Sequence, residues 1–199
     1  MVKRTVLTFA LVTGLAACGA DENGAEAEPD ATNVVAAFYP LAFAAESVGG
    51  REVSVANLTP TGAEPHDVEL TPRDVERVRD ADVVLYLGGG FQPAVEDAVE
   101  GASGRVVDLL DGLTLRPGGS DDEGVDPHVW LDPVRFEGIV ERIGDVLAQG
   151  DAAARLGRRL RELDARFTDR LRRCARREIV TSHAAFGYLA ARYELERDR

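Results

Sequence analysis

Cysteine, histidine and basic residues are all scarce in this 199-residue chain. It has two cysteines, three histidines, and 23 lysines and arginines against 35 acidic residues, which gives a formal net charge of −12. So acidic a chain argues against a nucleic-acid partner and suits a soluble domain that attracts cations. The apolar stretch near the N-terminus, Val6 to Val12, is far short of the roughly 20 residues that a transmembrane helix needs.

The N-terminus nevertheless has the pattern of a secretory signal. Lys3 and Arg4 precede the short apolar stretch, and the segment ends in Leu15-Ala16-Ala17-Cys18. This ending looks like the lipobox of bacterial lipoproteins, so residues 1–17 are predicted to be a signal peptide and Cys18 the acylated residue. At least two acyl chains would then anchor the protein stably to a membrane. The alternative is an ordinary signal peptide with an incidental cysteine.

Two further segments are predicted to be solvated. Residues 18–32 are small, polar and acidic without apolar periodicity, which predicts a tether between the lipid and the folded domain. The segment 116–124 is short, acidic and without histidine, which predicts a solvated loop. Once Cys18 is acylated, Cys174 has no partner within the chain, so we expect no intramolecular disulfide.

From residue 33 onward, short apolar strands alternate with helical segments. Strands are predicted at 33–38, 53–58, 82–87 and 105–107, and helices at 41–48, 72–81 and 93–100. This alternation predicts an α/β fold with a parallel sheet covered on both faces. The triple glycine at 88–90 lacks the spacing and the Lys-Ser/Thr pair of a phosphate-binding loop, so it predicts a turn.

The three histidines lie in similar positions along this pattern. His66 and His128 each follow a proline and come shortly before a capped helix start, and His183 follows a short β-branched strand. In open α/β sheets, ligands bind outside the carboxyl ends of the strands. A single such histidine is more often a surface or hydrogen-bonded residue, but three in matching positions indicate a shared site. Three imidazoles with an open fourth position are an established zinc arrangement.

Three motifs carry a family resemblance. They are Gly-Ala-Glu-Pro-His-Asp at 62–67, Asp-Pro-His-Val-Trp-Leu-Asp-Pro at 126–133, and Thr-Ser-His-Ala-Ala-Phe-Gly-Tyr-Leu-Ala-Ala-Arg-Tyr at 181–193. With their surroundings they resemble the metal-binding receptors of bacterial zinc and manganese ABC importers, the cluster A-I solute-binding proteins, of the zinc type. The resemblance covers most of the chain after Thr32.

This resemblance implies a ligand, a partner and a set of metal-binding residues. The family's first three ligand positions fall on His66, His128 and His183. Manganese members usually carry a carboxylate at the third position, so His183 indicates Zn(II) as the transported ligand. The implied partner is the permease of an ABC importer. A manganese or iron receptor of the same family is the alternative.

The resemblance also implies a two-lobed α/β protein whose parallel-sheet lobes are joined by a long helix. We expect an N-terminal lobe at 33–132, a long connecting helix region at 133–177, and the start of a C-terminal lobe at 178–199. Residues 194–199 have no apolar pattern, so the second lobe, with its carboxylate ligand, is expected to be largely missing. The apolar face formed by Phe186, Tyr188 and Leu189 is then expected to be exposed. A non-functional remnant that binds metal weakly is a further alternative.

Arginines dominate residues 155–177 but surround an apolar stripe at helical spacing, so they are interpreted as a solvated helix face. Glu64 and Asp126 are candidates to accept a hydrogen bond from the second nitrogen of a ligating histidine, although either could instead face water. A zinc hydrolase with three histidine ligands is the alternative from another class, but the chain has no His-Glu-x-x-His motif. We expect a non-enzymatic, extracytoplasmic, membrane-anchored monomer.

Overall fold

The computed structural model describes residues 30–118, 124–181 and 183–198. The strands in these residues are Thr32–Ala36 (β1), Val53–Asn57 (β2), Val83–Tyr86 (β3), Arg105–Asp108 (β4), Glu178–Val180 (β5) and Glu196–Asp198 (β6). The helices are Tyr39–Gly49 (α1), Pro72–Asp80 (α2), Pro93–Val99 (α3), Pro133–Val146 (α4), Gly150–Leu171 (α5) and Gly187–Arg192 (α6). The predicted signal peptide and Cys18 lie outside the described residues.

The first four strands form one parallel sheet in the order β2-β1-β3-β4. Helices α1, α2 and α3 make the crossovers that parallel neighbours require. Val34, Val35 and Ala36 are buried along β1, as are Val84 and Leu85 in β3. Strands buried on both faces have continuous apolar sequences, which explains why both were visible as apolar runs. The predicted α/β fold with a parallel sheet is confirmed.

Capped starts fix the helices that follow the first two histidine loops. The Thr71 side chain accepts a hydrogen bond from the backbone of Asp74, and the Asp74 carboxylate accepts one from the backbone of Thr71. At the start of α4, Asp132 accepts a hydrogen bond of 3.0 Å from the backbone of Val134. Such caps each stabilise a helix by about 1 kcal/mol. They fix the chain direction just after His66 and His128.

Helices α4 and α5 pack against each other and against α1. Gly144 makes this close approach feasible, because a Cβ there would lie 2.4 Å from the side chain of Ala153. Leu156 and Leu160 of α5 join the main core. The whole helix has 22 residues and is about 33 Å long. Its C-terminal half contacts the C-terminal segment, for example through the rings of Phe167 and Tyr193. The long helix therefore belongs to the main core at one end and supports residues 178–198 at the other.

The C-terminal residues differ from the sequence-based expectation. Strand β6 pairs in parallel with β5, although its sequence has no apolar pattern. Backbone contacts hold it, since the amide of Glu196 donates to the carbonyl of Arg177 over 2.8 Å. The Arg177 guanidinium in turn donates to the carbonyls of Tyr193 and Glu194. Within the described part of the chain, no helix has both the length and the apolar character to cross a bilayer.

Candidate metal site

The three histidines, far apart in sequence, meet at one point. The Nε2 atoms of His66 and His128 are 3.2 Å apart, and those of His183 and His128 are also 3.2 Å apart. Ligand nitrogens of all three lie within 4.8 Å of one another. Two nitrogens bound to tetrahedral zinc at about 2.0–2.1 Å are separated by about 3.3–3.4 Å. The observed spacing is therefore close to that of three zinc ligands.

Each histidine reaches this point from a different segment. His66 lies in a short 3-10 turn, residues 65–67, in the loop that follows β2. His128 immediately precedes another 3-10 turn, residues 129–131, which leads into α4. His183 follows β5 and precedes α6. His66 and His183 thus lie beyond the carboxyl ends of β2 and β5, the end of a strand at which ligands bind in open α/β sheets.

His128 is the most constrained of the three. It is 2% exposed, and its Nδ1 lies 2.9 Å from the Oδ1 atom of Asp126. The same carboxylate oxygen accepts a hydrogen bond of 3.0 Å from the backbone amide of His128. We assign the ring proton to Nδ1, which leaves Nε2 as a lone-pair donor directed at the other imidazoles. The Asp126 carboxylate therefore contacts both the ring and the backbone of His128, whereas Glu64, the other candidate to orient a histidine, is exposed.

The loop that carries His66 is held by residues that the sequence did not single out. Gln92, 1% exposed, donates through its side-chain nitrogen to the carbonyl of Pro65 and to the hydroxyl of Thr59. Thr59 donates to the carbonyl of Ala37, just beyond β1. This chain of hydrogen bonds ties the His66 turn to the end of β1, one of the two inner strands of the sheet. Its only sequence signal is a polar residue directly before the proline that begins α3.

An aromatic wall shields one side of the cluster. The ring of Phe91 lies edge-on to His66 with centroids 4.7 Å apart, and Trp130 lies 5.1 Å from His128. Phe38 contacts both Phe91 and Trp130. Low polarity on this side strengthens the electrostatic interactions between a bound cation and its ligands.

Ion pairs attach the segment that carries His183. Arg192 binds both carboxylate oxygens of Asp164 on α5 at 2.7 and 2.8 Å, and lies 3.4 Å from Asp132. The Tyr193 hydroxyl donates to Asp164 over 3.0 Å. The hydrogen bond from Arg192 lowers the pKa of the Asp164 carboxyl below its ordinary value, and that from Tyr193 lowers it further. Helix α6 is therefore tied to α5 and to the capped start of α4.

Comparison with known proteins assigns the chain to a family. The family model described as zinc-uptake complex component A, periplasmic (ZnuA), matches residues 34–198. The chain belongs to the ZnuA family. Membership in this family of transport proteins agrees with the resemblance derived from the three motifs. The family is one of solute-binding transport proteins and not of enzymes.

Individual relatives agree with the family. The zinc-binding lipoprotein AdcA of Streptococcus pneumoniae is 31% identical over 189 residues, which cover 82% of this chain and 38% of that protein. The high-affinity zinc uptake system protein ZnuA of Bacillus subtilis is 27% identical over 208 residues, covering 92% of this chain and 65% of that protein. The chain thus spans well under half of AdcA and about two thirds of the Bacillus protein.

Solved structures have the same fold. The crystal structure of Zn(II)-bound AdcA from Streptococcus pneumoniae superposes with a TM-score of 0.76 at 31% identity, covering 84% of this chain and 38% of that one. A crystal structure of ZnuA gives a TM-score of 0.77 at 24% identity, covering 84% of this chain and 69% of that one.

Proposed function

We propose that this protein is an extracytoplasmic receptor that captures Zn(II) through His66, His128 and His183 and delivers it to the permease of an ABC importer. The observation that carries the proposal is the convergence of three Nε2 atoms at spacings close to those of zinc ligands. Membership in the ZnuA family and the names of its zinc-binding relatives support the same function.

The donor set supports zinc over manganese. Three imidazole nitrogens suit zinc, copper, nickel and iron, whereas manganese prefers carboxylate, carbonyl and water oxygens. Within the described residues, no carboxylate oxygen belongs to the cluster. A water molecule or a carboxylate from elsewhere would complete a tetrahedral site.

Delivery requires that the captured ion also be released. His66 and His128 are held by the main core, whereas His183 belongs to a separate segment with β5, α6 and β6. Displacement of that segment would remove one of the three ligands and leave the other two on the main core. We propose that release begins with His183.

Anchoring and domain organisation complete the proposal. Acylation of Cys18 and a tether at 18–32 would hold the receptor, as a monomer, at the outer face of a membrane. The lipoprotein relative AdcA supports this arrangement. The proposed divisions remain an N-terminal lobe at 33–132, a connecting helix region at 133–177 and a C-terminal segment at 178–199.

Zinc titration with a competing chelator tests the function. The wild-type protein should bind one zinc per chain, and each single alanine variant of the three histidines should bind about 100-fold more weakly or worse. This loss should exceed the 10–100-fold typical of losing a residue that only orients a ligand. Binding should also weaken as the pH falls, because protons compete with the metal for the imidazole nitrogens. Wild-type affinity in all three variants would place the site elsewhere.

A further inference from the structure

Tyr188 joins the two parts of the molecule that supply the histidines. It lies on α6, five positions after His183, and is 2% exposed. The sequence led us to expect an exposed Tyr188 face, and this expectation is wrong, because the ring packs in the main core. Its hydroxyl accepts a hydrogen bond of 2.8 Å from the backbone amide of Arg116 and donates one of 2.9 Å to the carbonyl of Asp126.

The second of these bonds leads directly to the metal site. Asp126 is the residue whose carboxylate holds both the Nδ1 atom and the backbone amide of His128. Only one residue, Pro127, separates Asp126 from His128. The Tyr188 hydroxyl therefore connects the segment that carries His183 to the loop that fixes His128.

The tyrosine ring is itself held in place. The Arg135 guanidinium lies over it at 4.7 Å from the ring centroid, and Arg135 also lies 3.5 Å from Asp132. Burial raises the pKa of the Tyr188 phenol, so the hydroxyl keeps its proton and can donate to Asp126 at neutral pH. A rigid ring with both hydrogen-bonding roles in use is well suited to fix a distance.

We infer that Tyr188 is a positioning residue of the zinc site, whose hydroxyl sets the separation between His128 and His183. The inference rests on the proposed function. Zinc accepts ligand distances only within about 0.2 Å of their ordinary values, so a small displacement of α6 weakens coordination by His183. The hydroxyl therefore contributes to zinc affinity without touching the metal.

Tyr193 provides a matched control on the same segment. Among the residues that the structure describes, its hydroxyl hydrogen-bonds only to Asp164 on α5, and that bond does not involve the Asp126 loop. Tyr188→Phe and Tyr193→Phe each remove one hydroxyl and keep the ring. A merely structural role predicts that both variants affect zinc binding alike, whereas a positioning role predicts that only Tyr188→Phe does.

The experiment measures zinc affinity and the visible absorption spectrum of the Co(II)-substituted protein for the wild type, both phenylalanine variants and His66→Ala. Tyr188→Phe should bind zinc about ten-fold more weakly and show an altered Co(II) spectrum. Tyr193→Phe should remain within about two-fold of the wild-type affinity and keep its spectrum. Equal losses in both variants, or wild-type behaviour of Tyr188→Phe, would overturn the inference. Equal zinc binding by the wild type and His66→Ala would instead refute the proposed function.

A measurement on the wild type keeps the inference testable if Tyr188→Phe does not fold. Coupling between two events is reciprocal, so zinc must strengthen the Tyr188 hydrogen bonds if these bonds strengthen zinc binding. Hydrogen exchange of the Arg116 amide should therefore slow on zinc addition. The amide of Asn33, which donates to Asp82 at the amino end of β1, is the control and should change less. An unchanged Arg116 amide would overturn the inference.

Discussion

The two regions that supply the histidines differ in how they are held together. The four-stranded sheet with α1 and α4 is built from fully buried apolar side chains, among them Leu41, Leu85 and Ile139. The C-terminal segment, residues 178–198, has a sheet of only two strands, each three residues long. Val180 in this sheet is 79% exposed. Helix α6 is attached by the buried ring of Tyr188, by the hydrogen bond from its hydroxyl to Asp126, and by the ion pair of Arg192 with Asp164.

This difference divides the site into a preformed and a dependent part. His128, with Asp126 beneath it, is fixed by the main core whether or not metal is present. The position of His183 depends on how well the C-terminal segment is ordered. Ordering of that segment must therefore be coupled to zinc binding, because any ligand that binds only the ordered state stabilises it.

The largest expected effects are those of replacing His128 or His183, and they should differ between the two residues. His128→Ala and His183→Ala should both weaken zinc binding by about 100-fold or more. Only His128→Ala should also lower the free energy of unfolding of the zinc-free protein, by about 1–3 kcal/mol, since it removes the imidazole partner of a buried carboxylate. Chelator competition and urea unfolding in EDTA measure the two quantities. Equal destabilisation by both variants would remove the distinction between the regions.

Hydrogen exchange with and without zinc tests the coupling directly. Amides in residues 178–193 should exchange up to about 100-fold more slowly at a zinc concentration 100 times the dissociation constant. Amides in β1 and β3 should change much less, because the main core is already ordered. Equal protection of the C-terminal segment in both states would mean that it is as preformed as the core.

A smaller effect on zinc binding is expected from replacing Asp126, which tests whether this residue orients His128. Asp126→Asn should weaken zinc binding by about ten-fold, because the amide no longer provides a negative acceptor for the Nδ1 proton of His128. Glu64→Gln is the matched control, since Glu64 was the second candidate for this role and is exposed. Chelator competition on both variants decides the assignment. A comparable loss in the glutamine variant would restore Glu64 as a contributor.

The smallest expected effect concerns the attachment of α6 and its dependence on pH. The pKa of Asp164 is lowered in the folded protein from 3.8, first by its hydrogen bond to Arg192. A carboxyl with a lowered folded pKa stabilises the protein above its unfolded pKa, and this contribution is lost as the pH falls from about 5 through the folded value. Asp164→Asn should therefore cost about 1 kcal/mol at pH 7 and reduce the loss of stability between pH 5 and 3.

The control for this prediction is Asp80→Asn. Asp80 pairs with Arg79 at the end of α2, and the pKa of Asp80 is also lowered, but both residues are exposed. Solvent and salt screen such a pair, so the variant should unfold like the wild type at every pH. Acid unfolding followed by circular dichroism compares the two variants. A pH profile of Asp164→Asn that matches the wild type would contradict the prediction.

The sequence predicted those parts of the molecule that depend on local pattern. Apolar runs indicated β1 and β3, and capping patterns indicated the helix starts that follow His66 and His128. The proline-restrained loops before those starts, together with the family resemblance, indicated the three histidines. Each of these features is specified by residues within a few positions of one another.

The parts that the sequence did not predict depend on contacts between distant residues. Strand β6 has no apolar pattern and forms through backbone pairing with β5. Gln92 supports the His66 turn from 27 positions away, and Tyr188 bonds to a residue 62 positions earlier. The lack of an apolar pattern at 194–199 predicted a missing second lobe and an exposed face at Tyr188, whereas the ring is buried, with a hydrogen bond to Asp126 and Arg135 over it.

X-ray absorption at the zinc edge tests most directly the claim that both regions bind one ion. The zinc-loaded wild type should show three imidazole ligands and one further oxygen or nitrogen, with zinc–nitrogen distances of about 2.0–2.1 Å. His183→Ala, loaded at saturating zinc, should show two imidazoles. Fewer than three imidazoles in the wild type, or an unchanged count in His183→Ala, would contradict a site shared between the main core and the C-terminal segment.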